Sequence, residues 1–83
     1  MNKFAAINLT KRINAKATQL CLVGLDREVF CFIASGHGEI GFESFRRQFD
    51  AQFIPAIESL AKLMQAGAVF QQSSSSRYYS VAV

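Results

Sequence analysis

Residues 54–69, IPAIESLAKLMQAGAV, carry a helix, its stop and the start of a strand in one run. Ile57, Leu60, Ala61 and Met64 recur at helical spacing, and Phe53 extends the stripe upstream. Pro55 fits the first turn, because deeper inside it would remove a backbone hydrogen bond and clash with the preceding turn. Gly67 supplies a left-handed stop. The spacing predicts a helix over 54–66, with the chain leaving it extended.

Downstream, residues 68–72 and 77–83 read as two strands of a hairpin. The serine run 73–76, flanked by Gln71, Gln72 and Arg77, forms its tip, and Tyr79, Val81 and Val83 share one face of the second strand. Upstream, residues 50–53 form a tight connection. Before it, Phe42, Phe45 and Phe49 place three rings on one face of a short helix over 42–49, with Glu43 and Arg47 as an i, i+4 pair outside. Glu39, Ile40 and Gly41 leave room for only a brief strand.

Residues 26–36 predict a helix with Asp26 as N-cap, Glu28 near the positive end of its dipole and Gly36 as a left-handed stop, His37 punctuating its end. Val29 to Ala34 is apolar on nearly every face, which belongs in the centre of a core. A further helix over 10–21, capped by Thr10 or Asn8, carries Ile13, Ala17 and Leu20 on one face. Residues 18–23 also fit an extended segment, since Leu20 and Leu22 alternate with less apolar neighbours.

Eighty-three residues, 51% hydrophobic, make one domain able to bury a core without metals or disulfides. Cys21 and Cys31 sit in apolar surroundings and read as reduced, buried thiols. His37 has no second Cys or His near it, so no metal site and no cofactor are expected. The longest apolar stretches, 20–25 and 29–34, are separated by Asp26, Arg27 and Glu28, so no membrane span is expected. The apolar run 4–9 is too short for a signal-peptide core and is followed by Lys11 and Arg12, which leads us to expect a cytoplasmic protein. With no nucleophile elbow, phosphate-cradling loop or zinc-ligand pair, no enzyme is expected.

The net charge of +3 is unevenly spread. Residues 1–25 carry four cations and no acid, residues 26–58 carry six acids against three arginines, and the remainder adds Lys62 and Arg77.

From Asp26 onward the chain resembles a winged helix-turn-helix domain: a first core helix, the minor strand GEIG, the helix pair FESFRRQF and IPAIESLAKLMQA, and a terminal hairpin. In LAKLMQAGAV, Leu60, Leu63, Gly67 and Val69 are similar to the way recognition helices of that superfamily run into the first wing strand, and RYYSV resembles the returning strand. The resemblance covers about seventy per cent of the chain. It implies an α+β fold: a small winged helix over 26–83, with a three-helix core and a C-terminal β-hairpin wing, preceded by a basic arm with an extra N-terminal helix over 1–25.

The resemblance further implies a transcriptional regulator that binds double-stranded DNA, with 54–66 in the major groove, 42–49 presenting it and the 68–83 hairpin as wing. Ser59 and Lys62, on the face with Pro55, Glu58 and Ala66, are then the base-contact candidates, helped by Gln52 and Gln65. Arg46, Arg47, Arg77, Lys11, Arg12 and Lys16 are the phosphate-contact candidates. The alternative is a docking module for a protein partner, because residues 38–66 have net charge −1 and an outer face that is small and partly apolar. The apolar stripe of the arm, packed on the first core helix of its own chain or a neighbour's, also allows a homodimer.

Overall fold

The computed structural model describes residues 3–81. Its centre is α2 (Gly24–Ser35), whose Val29, Phe30, Ile33 and Ala34 are buried. Around it pack α1 (Lys3–Gln19), α3 (Phe42–Gln48) and α4 (Phe53–Gln65), with a 3-10 turn (Asp50–Gln52) between the last two. The chain ends in an antiparallel hairpin of β1 (Val69–Gln71) and β2 (Tyr78–Ser80), in which Phe70 faces Tyr79 across the ladder. The molecule is therefore a small α+β fold, four helices followed by a two-stranded hairpin, compatible with a small winged helix.

Burial explains the arrangement. Ile13 and Ala17 of α1 close one side of α2, while Phe45, Phe49, Ala56, Leu60 and Leu63 close the other. Ala68, Val69 and Tyr78 seal the end from the hairpin. Gly67, at φ 77°, reverses the chain after α4 so that the Ala68 N–H donates to the Leu63 carbonyl at 2.9 Å. That turn delivers β1 to the core edge at the predicted place.

Several local expectations are corrected. α1 starts earlier than predicted, so Asn8 and Thr10 lie within the helix rather than at its start, and it ends at Gln19, so 18–23 is no strand. Leu20 is exposed rather than on the buried stripe. Gly24, at φ 59°, opens α2 two residues before Asp26, which falls inside the first turn while Val23 takes the cap position. Gly36 is right-handed at φ −85°, and His37 (φ 51°) and Gly38 (φ 80°) make the left-handed step. Gly36 is needed for room instead: an added Cβ there would collide with Ile40 Cγ1 and lie 2.6 Å from Ile40 Cδ1.

The brief strand at 39–41 reduces to a single bridge, where the Tyr78 N–H donates to the Ile40 carbonyl at 2.8 Å. Of the three rings expected together on α3, Phe45 and Phe49 are buried and Phe42 is exposed. Glu43 and Arg47 form no ion pair; among the described residues the ion pairs are Lys62–Asp26 and Arg77–Glu39. In β2 it is Tyr78 that points inward and Tyr79 outward, and Val83 lies outside the described residues. Both thiols are free as expected, but Cys21 is exposed and Cys31 only half-buried.

One clamp was not anticipated. The Arg27 guanidinium of α2 donates to Thr18 Oγ1 at 3.2 Å, to the Asn14 carbonyl at 3.1 Å and to Asn14 Oδ1 at 3.3 Å. It thereby fastens the second half of α1 to the core.

Candidate functional site

The face expected to meet a ligand is the outer side of α4 with the adjoining α3 and wing. α4 is turned about its axis relative to the predicted stripe: Ala56, Ser59, Leu60 and Leu63 are the buried positions, Ile57 is half-buried, and Ala61 and Met64 are exposed. At about 100° per residue, Ile54, Glu58, Ala61 and Gln65 then form the outermost line of the helix. Ile57 and Met64 flank it on one side, Pro55 and Lys62 on the other.

Ser59, expected on the outside, is only 4% exposed. Its hydroxyl donates to the carboxylate of Asp26 on α2. The Lys62 ammonium reaches the same carboxylate, 3.3 Å from Asp26 Oδ2. The Ser59 hydrogen bond and the Lys62 charge hold the Asp26 carboxyl below its usual range against the opposing effect of partial burial. Of the α4 residues expected to touch DNA, Ser59 is thus buried and Lys62 is tied to an acid, while Gln65 is exposed on the outermost line.

The cations around α4 are similarly engaged. On the wing, Arg77 Nη1 lies 2.7 Å from Glu39 Oε2. On α3, the Arg46 guanidinium sits 5.9 Å from the centre of the Phe53 ring, a cation–π arrangement. Arg47 beside it is exposed, as is Gln52 in the 3-10 turn. Lys11 and Arg12 are exposed on α1, and Lys16 is half-buried there. The structure brings Arg46, Arg47 and Gln52 near the start of α4 and leaves Lys11 and Arg12 on a helix whose buried side packs against α2.

What the face does present is apolar surface. Ile54 is 66% exposed and Phe42 44% exposed, with Pro55, Ala61 and Met64 also in contact with solvent. Phe42 meets Phe53 edge to face at 5.8 Å, so the exposed ring of α3 joins the start of α4 in one surface.

A groove of about 540 Å³ runs beside this surface between α2 and the α3–α4 turn, with Phe32 and Phe49 in its lining. Cys31 also lines it, and burial raises the pKa of that thiol despite Arg27 nearby, which favours its protonated form. Among the described residues there is no group of three or more side chains able to hold a metal ion, and no helix long and apolar enough to cross a membrane.

Sequence reasoning missed the Asp26–Ser59 contact and the Arg27 clamp. The signal for the first was present: Ala56, Leu60 and Leu63 form a helical stripe of their own, and Ser59 falls inside it. No protein-family model, curated protein or solved structure matches the chain.

Proposed function

We propose that this chain is a non-catalytic docking module on a winged-helix scaffold, which receives a protein partner on the outer face of α4. The observation that carries the reading is the composition of that face. Ile54, Pro55, Ala61 and Met64 are exposed there and Phe42 extends them, while Ser59 is withdrawn and Lys62, itself largely exposed, pairs with Asp26. Exposed apolar side chains, though interrupted on the outermost line by Glu58 and Gln65, gain by leaving water against another apolar surface. They offer little to a phosphate backbone, and Glu58 in the middle of the outer line repels one.

DNA binding by a transcriptional regulator is the second reading. Its support is the exposed set Arg46, Arg47 and Gln52 beside the start of α4, with Lys11 and Arg12 on α1 as further phosphate contacts.

The two readings separate in one experiment: titration of labelled mixed-sequence duplex DNA over a salt series, with the native chain and an Arg46→Ala, Arg47→Ala, Arg77→Ala variant. The docking reading expects no binding at low salt. Binding that weakens steeply with salt, with a slope that flattens in the variant, overturns it in favour of DNA. A photo-crosslinking residue at Ile54, compared with one at Ser73 on the hairpin tip, supplies the positive arm: protein adducts in the chain's own cells at the first position and not the second.

A further inference from the structure

The apolar residues that α4 leaves outside the core are spaced as a seam. Ile54, Ile57, Ala61 and Met64 alternate by steps of three and four positions, so they follow one side of the helix for about 15 Å. Ile57 is half-buried and the others are exposed. This is the spacing of the facing positions in a two-helix pair, with Ile54 and Ala61 at a and Ile57 and Met64 at d.

The two edges of the seam carry opposite charge. On one edge, at the e position, Glu58 is exposed and belongs to neither of the ion pairs among the described residues. On the other edge Phe53, at the g position before Ile54, has the Arg46 guanidinium 5.9 Å from its ring centre and Phe42 edge to face against the same ring. Arg46 is exposed and also outside both ion pairs. In a parallel pair of helices a g residue lies beside the e residue of the partner's next turn, so a second α4 brings its Glu58 to Phe53 and towards Arg46. The two-fold axis repeats the contact on the other side. An antiparallel pair has no such match: layering Ile54 on Met64 and Ile57 on Ala61 sets the axis level with Ser59, and the two Glu58 carboxylates then meet beside it. Like charges oppose that arrangement.

We propose that the partner of the α4 face is a second copy of this chain, joined through a parallel two-fold pair of α4 helices. The inference rests on the docking reading above and names its occupant. Each seam covers the other's apolar side chains, the β-branched Ile54 at an a position suits a pair of two helices, and Arg46 of each copy meets Glu58 of the other. Opposite charges on the two edges of one seam select a second copy as the complement, because the sequence that presents the acid also presents the cation.

Sedimentation equilibrium at tens to hundreds of micromolar tests this, with circular dichroism confirming that each variant is folded. The native chain is expected to be dimeric. Ala61→Arg, which puts a bulky cation into the seam from an exposed position, is expected to give monomer with an unchanged spectrum. Glu58→Arg is expected to weaken association about tenfold, since it faces Arg46 of the other copy, and Arg46→Glu in the same chain to recover it. In a Cys21→Ser, Cys31→Ser background, Ile54→Cys is expected to link the two copies by a disulfide under air oxidation, because a positions face their own counterparts in a parallel pair and not in an antiparallel one. A native chain that stays monomeric, a dimer indifferent to both Ala61→Arg and Glu58→Arg, or one that Ile54→Cys does not link overturns the proposal. The photo-crosslinking residue at Ile54 separates this failure from that of the docking reading: a monomer whose adducts contain another protein loses only the second copy as occupant, whereas a monomer without adducts loses both.

Discussion

Lys62 Nζ lies 3.3 Å from Asp26 Oδ2, joining the outer side of α4 to the first turn of α2, and the Ser59 hydroxyl completes the junction from inside. The carboxylate serves two partners of different kinds. The ammonium is largely exposed and contributes little to stability. The buried hydroxyl faces the same carboxylate and helps to hold its pKa down.

Asp26→Ala is therefore expected to destabilise the domain by about 1–3 kcal/mol, the cost of leaving a buried hydroxyl without its acceptor. Lys62→Ala is expected to cost less than about 1 kcal/mol. Chemical denaturation of both variants measures the difference, and equal losses would make the ammonium the more important partner.

The same junction sets a dependence on acid. The folded Asp26 carboxyl lies below its ordinary value of 3.8, so its stabilising contribution is present above that value. It is lost as pH falls below 3.8 through the folded pKa. Native and Asp26→Asn chains, melted over pH 2 to 7, are expected to differ at the neutral end and converge at the acid end.

Arg27 ties three points on α1 and its exit to α2. Arg27→Ala is expected to cost about 1–3 kcal/mol, in the range of hydrogen bonds from a charged donor. Amide hydrogen exchange is the decisive readout: α1 is expected to lose protection while α4 and the hairpin keep theirs.

Gly36→Ala tests a steric requirement. With φ at −85° the backbone accepts alanine, so any loss comes from the collision with Ile40. Overpacking of this kind costs about 1–3 kcal/mol. A neutral or stabilising outcome would show that Ile40 moves aside freely.

Aromatic truncations rank by burial. Phe30→Ala and Phe45→Ala, both at 0% exposure, are expected to cost about 3–5 kcal/mol. Phe70→Ala on the hairpin, exposed and stacked on Tyr79, is expected to cost about 0.5–1.5 kcal/mol, the worth of an aromatic pair. Phe32→Ala falls between them in the same thermal melts.

The helices and the hairpin were legible because their signals are local. Gly67 stops α4 where its backbone requires a positive φ, and the serine run separates two strands whose pairing follows from the turn. The rotation of α4 was not legible in the same way. Ser59 is polar and was placed outside, whereas its acceptor sits on a different helix and enters only through tertiary contact. Phe42 was placed on one face with Phe45 and Phe49 by their spacing, yet it is exposed and meets Phe53 at the start of α4 instead. The candidate site suffered most, since a binding face is whatever the core leaves over, and an error of one helical position exchanges Ser59 for Ala61.

The bridge between Ile40 and Tyr78 also bears on the order in which the chain assembles. Arg77 and Glu39, which flank it, are 38 residues apart in sequence, and α3 and α4 lie between them. Closing so long a loop costs entropy that local contacts do not repay. The helices are therefore expected to dock before the bridge gains, with the Ile40–Tyr78 bridge closing in a late step. Mutations at this junction should accelerate unfolding while leaving the folding rate nearly unchanged.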